Sequence, residues 1–497
     1  MAQSSSVQNT PVKIAPVKVA VAKGDGIGPE IMEAVLEIMK CAGAKLDLHE
    51  VTVGMKAYEA GETKGISDAD FDVLQSCKAL LKAPLSTPQG KGYSSVNVAI
   101  RKRFDLFANI RPSVSLEPVI APRSNASNVD MVIVRENLED LYAGIEHRPT
   151  KDVAVGRKVS TRSESERIMR AAFEYARANG REKVTAIAKD NIQKMTDGTN
   201  FHDVFDVVAT DYPDIKAEFY IADIGIARLG ARPNDFDVVV TQNMYGDIGS
   251  DVVSEALGSV GLSGSANLGQ DFAMFEAVHG TAPDIAGKNM ANPSGLLMAA
   301  VMMLNYCGQS DAAEKIHNAW LRALEEGDHT GDIYGGEYSK NRVGTLSFAA
   351  SIIGALGKKP QVLTPVDYSE NALFELPVTP FKAAEDDFEI CGVDVQVQHT
   401  GTPQELAEQV QARLKSSLLS LDSVMTARGD IVWPEPSRAF LTDYYTLRMV
   451  FSEEASFFEK GKKQAVARLL GDFTKASVNW RELNLLTKTP QGDLNFR

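Results

Sequence analysis

The chain has 497 residues, 44% of them hydrophobic and 24% charged, with a formal net charge of −14. That length exceeds one ordinary hydrophobic core and points to about three domains. The composition is that of a globular protein: no apolar run reaches the roughly 18 residues a membrane helix needs, and the negative balance excludes a general attraction to nucleic acid or to a membrane surface.

In chain order, residues 1–16 (MAQSSSVQNTPVKIAP) are polar and lack both the apolar segment of a secretory signal and the arginines of a transit peptide, so they read as a disordered tail. The β-branched run Val17–Ala22 then leads through a glycine turn into the helical pattern PEIMEAVLEIMKCAG, the opening of an α/β domain. Further buried strands are expected at Met131–Val134, Val184–Ile187 and Phe236–Thr241. A helix is expected over SESERIMRAAFEYARANG, with Gly180 at its C-cap. Residues 358–387 turn Pro-rich and acidic and read as a linker. Beyond it come a strand (GVDVQVQH), a helix with Thr402 as N-cap, two strands (SVMTA, YTLRMVF), a helix near Lys460–Thr474 and a last extended piece. That β-α-β-β-α-β order predicts a small α+β ferredoxin-like module with a role in assembly. The cysteines Cys41, Cys77, Cys307 and Cys391 form no C-x-x-C pair, which argues against a zinc or disulfide framework and fits a reducing compartment.

Three segments carry chemistry. In SSVNVAIRKRF, Ser95, Asn97 and Arg101 are spaced to converge on one ligand at a helix start, and Arg111 and Arg135 follow in NIRP and VRENLEDLYAG. Guanidinium groups bind carboxylates bidentately, so three of them beside hydroxyl and amide groups suit a polycarboxylate; each alone could equally be a surface ion-pair partner. In NMYGDIGSD, after the strand FDVVVTQ, Asp247 and Asp251 share one helix face, as paired oxygen donors for magnesium or manganese or as ordinary helix-capping acids. The loop FEAVHGTAPDIAGKNMANP carries Asp284, an acceptor suited to ribose hydroxyls and repulsive to a 2′-phosphate, or else an Asx-type cap. The opening GDGIGPE is not the dinucleotide fingerprint G-x-G-x-x-G.

Seven motifs in order, GDGIGPE, STP, S-x-N-x-x-x-R, R-E-N-x-E-D-x-Y-A-G, K-D-N-I, N-x-x-G-D-x-x-S-D and H-G-T-A-P, resemble the isocitrate and isopropylmalate dehydrogenase family over about Val17 to Gly357. The extension beyond resembles homodimeric bacterial isocitrate dehydrogenases with an extra C-terminal domain. The resemblance implies a non-Rossmann α/β fold: a large domain from 17–106 and 258–357, a small domain over 107–257 carrying a dimer clasp, the linker, and an α+β domain at 388–497.

It also implies the site. Thr87, Ser95, Asn97, Arg101, Arg111 and Arg135 are expected to hold substrate, and Asp247 and Asp251, with Asp223 of a second subunit, to bind Mg2+ or Mn2+. Lys189 and Tyr142 are expected as the acid–base pair, both with pKa values lowered by a nearby cation. Cofactor neighbours are expected at Asn191, Glu276, His279, Gly280, Thr281, Ala282, Asp284, Ile285 and Asn292, with Asp332 close by. Isopropylmalate enzymes carry glutamate and leucines where this chain has Ser95 and Asn97, so isocitrate is the implied substrate, in a tricarboxylic acid cycle step. NADP-dependent relatives carry lysine and tyrosine at Asp284 and Ile285, so NAD is the expected hydride acceptor, with NADP as the alternative. The resemblance also admits a homoisocitrate or isopropylmalate dehydrogenase and, least readily, a non-catalytic regulatory subunit. The implied partner is a second copy of the chain, and the implied compartment is the bacterial cytoplasm, or the mitochondrial matrix of a eukaryotic host.

Overall fold

The computed structural model describes residues 15–88, 92–122, 127–368, 376–378, 388–414, 417–435, 437–452 and 459–489. Most of the predicted tail and much of the predicted linker thus lie outside the described residues. The chain divides into two compact units, Met1–Ala143 with Lys158–Phe381, and Gly144–Arg157 with Lys382–Arg497.

The first unit is built on one ten-stranded sheet. Its strands, in chain order, are β1 (Val17–Ala22), β2 (Leu46–Glu50), β3 (Ala79–Lys82), β4 (Ala108–Val114) and β5 (Asp130–Glu136). The chain then leaves and re-enters along a two-stranded ribbon, β6 (Asp140–His147) and β7 (Val155–Val159). The sheet continues with β8 (Lys183–Ala188), β9 (Lys216–Ile221), β10 (Val238–Thr241), β11 (Gly264–Leu268) and β12 (Ala273–Ala277). A small ribbon, β13 (Asp328–His329) and β14 (Asn341–Arg342), completes the unit.

The spatial order is β2-β1-β3-β12-β11-β4-β5-β10-β8-β9. Both outer parts are parallel, and antiparallel pairings of β12 with β11, β11 with β4 and β4 with β5 join them. One face is apolar throughout: Val19, Leu81, Phe275, Ile110, Val134 and Val240 belong to a single buried cluster. The other face is not. One cluster (Leu80, Met274, Ile100) lies under one half and another (Ile133, Ile187, Val239) under the other half. Because side chains alternate along a strand, the register places Lys82, Glu276, Ser265, Asn267, Asn109, Arg111 and Arg135 on that same face, between the two clusters. A polar stripe therefore crosses the middle of a buried sheet, where hydrophobic packing alone calls for apolar residues.

The expected helices form where the sequence places them. Gly28–Cys41 buries Ile31, Val35 and Ile38. Arg162–Ala178 starts at Thr161, whose hydroxyl accepts from the Glu164 N–H, and ends ahead of Gly180 at φ +62°. Within the Pro-rich stretch, the N–H groups of Gln361, Val362 and Leu363 donate to the Glu325 carboxylate on the helix Ser310–Glu326.

The second unit has its own core and a five-stranded antiparallel sheet of β15 (Glu389–Gln398), β16 (Leu419–Thr426), β17 (Ile431–Trp433), β18 (Tyr444–Phe451) and β19 (Asn479–Lys488). Its order, β17-β16-β18-β15-β19, is the ferredoxin-like arrangement with the short β17 added at one edge. The helices are Pro403–Leu414 and Glu459–Lys475. Thr402 and Glu405 cap the first reciprocally, side chain to backbone N–H in both directions. Residues 144–157 belong to this unit: Thr150 Oγ1 donates to Asp443 at 2.8 Å, and His147 and Arg157 both pair with Glu482 of β19.

Candidate active site

The polar stripe floors a cleft of about 210 Å3, lined among others by Lys82, Ser95, Asn97, Arg101, Arg111, Arg135, Tyr142, Asp247, Glu276, His279 and Gly280. Arg101 and Arg111 are 6% exposed and Arg135 only 1%. Burying three guanidinium groups together is unfavourable unless each is paired and the whole is completed by an anion.

The pairing is specific. Arg135 Nε donates to the Asn243 carbonyl at 3.0 Å, Nη2 to Asn243 Oδ1 at 2.8 Å, and Nη1 to Asp247 Oδ1 at 2.6 Å. The close approach depends on Gly246, where a Cβ would stand 2.6 Å from Arg135 Cγ. Arg111 donates to Ser250 Oγ at 2.5 Å and lies 3.2 Å from Asp247 and 3.9 Å from Asp251. Arg101 pairs at 2.9 Å with Glu276, whose other oxygen lies 2.8 Å from Lys82 Nζ. Burial, with Arg111 and Arg101 nearby, lowers the Arg135 pKa to about 9. Burial would raise the Glu276 carboxyl, but Lys82 and Arg101 outweigh it and hold it well below the usual carboxylate range. Four buried polar atoms of residues lining this cleft, Asn97 Oδ1, Arg101 Nε, Arg111 Nε and His279 Nε2, have no hydrogen-bond partner among the described residues.

Asp247 and Asp251 stand one turn apart on the helix Asn243–Ala256. Burial opposes ionisation of Asp247, yet Arg135 and Arg111 keep its pKa low; burial, then the charge of Asp247, raises that of Asp251. Tyr142 Oη donates to Asp247 Oδ2 at 2.5 Å. Burial and this bond push the phenol up to about 12.

The remaining expected residues lie elsewhere. Lys189 and Asp223 do not line the cleft; they pair with each other at 2.5 Å. Asn191 and Thr87 are exposed, and neither lines it. Among the described residues, no three His, Cys, Asp or Glu side chains gather as metal ligands. Ser95 takes the N-cap position of the helix Val96–Arg103 without a side-chain capping bond, which leaves its hydroxyl to face the cleft.

The loop after β12 adjoins the cleft through His279 and Gly280. The Thr281 carbonyl accepts from the Ile27 N–H of the GDGIGPE turn at 2.9 Å, so the opening motif anchors this loop. Ala282 takes a left-handed φ of +37° and starts the short turn Pro283–Ile285. Ile285 packs against the core, Asp284 is exposed, and Asn292 donates to Asp332 at 3.0 Å.

The model of the isocitrate/isopropylmalate dehydrogenase family matches residues 18–352, and that of the bacterial isocitrate dehydrogenase C-terminal domain matches residues 389–493. The chain belongs to the isocitrate/isopropylmalate dehydrogenase family. It is 44% identical over 465 residues to a protein of Rickettsia bellii named isocitrate dehydrogenase [NADP], covering 93% of this chain and 94% of that one. A Thermus thermophilus protein with the same name is 37% identical, with 92% and 91% covered. The crystal structure of a Thermus thermophilus protein superposes with a TM-score of 0.88 at 36% identity, covering 97% of this chain and 95% of that one.

These names overturn the expectation of an NAD-dependent enzyme drawn from Asp284 and Ile285. That expectation compared two residue types with the lysine and tyrosine of NADP-dependent relatives. In the fold, Asp284 is solvent-exposed and Lys288 Nζ donates to its carbonyl at 2.7 Å, so the turn carries an ammonium as well.

Sequence reasoning missed the polar floor. Lys82 ends an otherwise apolar strand, and Asn109 and Asn137 both donate to Asn267 Oδ1 at 2.9 Å, with Asn267 donating on to Glu276 at 2.9 Å. The available signal was polar residues inside strands that are buried on both faces.

Proposed function

We propose that the chain oxidises and decarboxylates isocitrate to 2-oxoglutarate with NADP as hydride acceptor. The observation that carries this is the convergence of three buried arginines on one cleft in which Asn97 Oδ1, Arg101 Nε and Arg111 Nε remain unpartnered among the described residues. Such a set matches a small molecule with several carboxylates, each able to take a bidentate guanidinium contact. Ser95 and Asn97, in place of the glutamate and leucines expected for an isopropyl group, support a third carboxylate.

Asp247 lines the cleft and Asp251 stands one helical turn on; both are hard oxygen donors, a chemistry that suits Mg2+ or Mn2+. With Asp223 of a second copy they would hold a divalent cation, which would supply Lewis acidity toward the substrate hydroxyl and its neighbouring carboxylate. The nicotinamide of the cofactor supplies the hydride acceptor. The protein's own groups do the rest. Arg101, Arg111 and Arg135 orient the carboxylates and exclude water, and their charge opposes premature protonation of the substrate. Tyr142 holds a proton at Oη, the donor for the carbon left electron-rich when carbon dioxide departs. Lys189, set apart from its own cleft and paired with Asp223, is assigned to removing the hydroxyl proton in the partner's cleft of a homodimer. The adenosine end is assigned to Asn191, His279, Gly280, Thr281, Ala282, Asp284, Ile285 and Asn292. Glu276 stands behind it, setting Lys82 and Arg101. We place this activity in the bacterial cytoplasm.

The test is the rate of NADPH or NADH appearance with isocitrate and Mn2+, together with assay of 2-oxoglutarate. Stoichiometric NADPH and 2-oxoglutarate are expected, with NADH formation far slower; turnover of isopropylmalate but not isocitrate would overturn the substrate.

A further inference from the structure

Asn267 is fully buried on β11 and does not itself line the cleft. An asparagine so placed costs free energy unless its polar atoms are satisfied, and here they are. Its Oδ1 accepts from Asn109 Nδ2 on β4 and from Asn137 Nδ2, just past β5, each at 2.9 Å. Its Nδ2 donates to the Met274 carbonyl at 3.1 Å and to Glu276 Oε1 at 2.9 Å, both on β12. Two donors on one side and two acceptors on the other fix the orientation of the amide. Glu276 Oε1 also receives Arg101 Nη2 at 2.9 Å, while Oε2 lies 2.8 Å from Lys82 Nζ. The terminal torsion of a glutamate is soft, so the direction of this carboxylate is set by its donors. Of the three, Asn267 carries no charge and is held from its other side by Asn109 and Asn137. Arg101 thereby spends Nη2 on Glu276 and keeps Nε, buried and without a partner among the described residues. In the register Asn267 stands opposite Asn109, and Asn109 opposite Arg135.

We infer that Asn267 is a positioning residue for substrate binding: through Glu276 it sets the Arg101 guanidinium, and through Asn109 and Asn137 it ties that setting to the strands that carry Arg111 and Arg135. This rests on the isocitrate reading above. The test is KM and kcat for isocitrate, with NADP and Mn2+, from about pH 6 to about pH 9 for the full-length wild type, Asn267→Asp and Asn267→Leu. Val19→Ala, a core truncation on β1, is the stability control, and thermal melting is followed throughout. Asn267→Asp keeps the shape of the side chain but sets a carboxyl against Glu276, which Lys82 and Arg101 also contact. Paired carboxyls share one proton at low pH and repel at high pH. Its KM is therefore expected to approach the wild-type value at the acid end and to exceed it about tenfold or more at the alkaline end, with kcat changing less. Asn267→Leu is expected to raise KM by a similar factor at every pH, and Val19→Ala to lower the melting temperature alone. Should Asn267→Leu not fold, the pH dependence of Asn267→Asp decides by itself. Variants at 267 that melt lower yet keep the wild-type KM across the pH range overturn the inference and leave the isocitrate reading standing. A wild type that does not turn over isocitrate overturns that reading, and this inference with it.

Discussion

Replacing Gly246 by alanine sets two effects of known size against each other. In a helix interior the substitution ordinarily stabilises, by about 1 kcal/mol. Here the added methyl would lie 2.6 Å from Arg135 Cγ and 2.8 Å from its Cβ. Those atoms are at the root of the side chain, and its tip is fixed by Asn243 and Asp247, so it cannot swing aside. Overpacking of this kind costs about 1–3 kcal/mol. Displacing the guanidinium also loosens charge-assisted hydrogen bonds worth about 1.5–3 kcal/mol each. The clash wins: overpacking less the propensity gain leaves up to about 2 kcal/mol, the loosened hydrogen bonds add to it, and Gly246→Ala is predicted to lower stability by about 2 kcal/mol or more. Because Arg135 is a substrate group in the proposed mechanism, KM for isocitrate is predicted to rise about tenfold or more. Urea unfolding gives the first quantity and initial rates the second. An increase in stability near 1 kcal/mol with KM unchanged would refute the packing argument.

Four further outcomes follow from the structure. Glu276→Gln leaves Lys82 and Arg101 buried without their shared anion and is expected to cost about 3–5 kcal/mol in urea unfolding; a loss below about 1 kcal/mol would contradict the geometry. Glu325→Ala removes the acceptor of three N–H groups at 361–363 and is expected to make that segment the first site of limited proteolysis, with an unchanged cleavage map as the contrary result. Burial raises the Glu136 carboxyl to about 8, against an ordinary 4.5. A group whose folded pKa is raised stabilises fully below its unfolded value and loses that contribution as pH climbs through the folded one. Tm is therefore expected to fall between pH 4.5 and 8 more steeply in the wild type than in Glu136→Gln; equal slopes would sink the assignment. Finally, Tyr142→Phe and Lys189→Met, each inactive, are expected to regain activity on mixing and refolding together, since each mixed dimer holds one intact cleft; no recovery would argue against shared sites.

Strands buried on both faces announced themselves as continuous β-branched runs, and β1, β8 and β10 lie within a residue or two of their expected limits. The arginines and the Asp247–Asp251 pair were legible through motif spacing, which survives whatever the tertiary context. The floor beneath them was not. Asn267 and Lys82 acquire meaning only when β11, β12 and β3 come into register, a pairing across nearly two hundred positions that no local pattern encodes. The nine-residue π-helix Lys194–His202 was equally invisible, since its Thr-Asp-Gly-Thr-Asn text reads as a loop. The cofactor expectation failed for a related reason. Asp284 and Ile285 were judged by their residue types alone, whereas in the fold Asp284 is exposed and Lys288 Nζ donates to its backbone carbonyl. The membership of residues 144–157 in the C-terminal unit likewise depends on Thr150 meeting Asp443 and Arg157 meeting Glu482, contacts between positions about three hundred apart.

Whether the three-arginine cleft is built for a tricarboxylate decides between isocitrate and its rivals. The most direct measurement is kcat/KM for isocitrate against 3-isopropylmalate, with NADP and Mn2+ held constant. A site that leaves buried polar groups unpaired with the wrong substrate discriminates by about 10^4-fold, and a preference of that order for isocitrate is predicted. Comparable values, or a preference for 3-isopropylmalate, would contradict it.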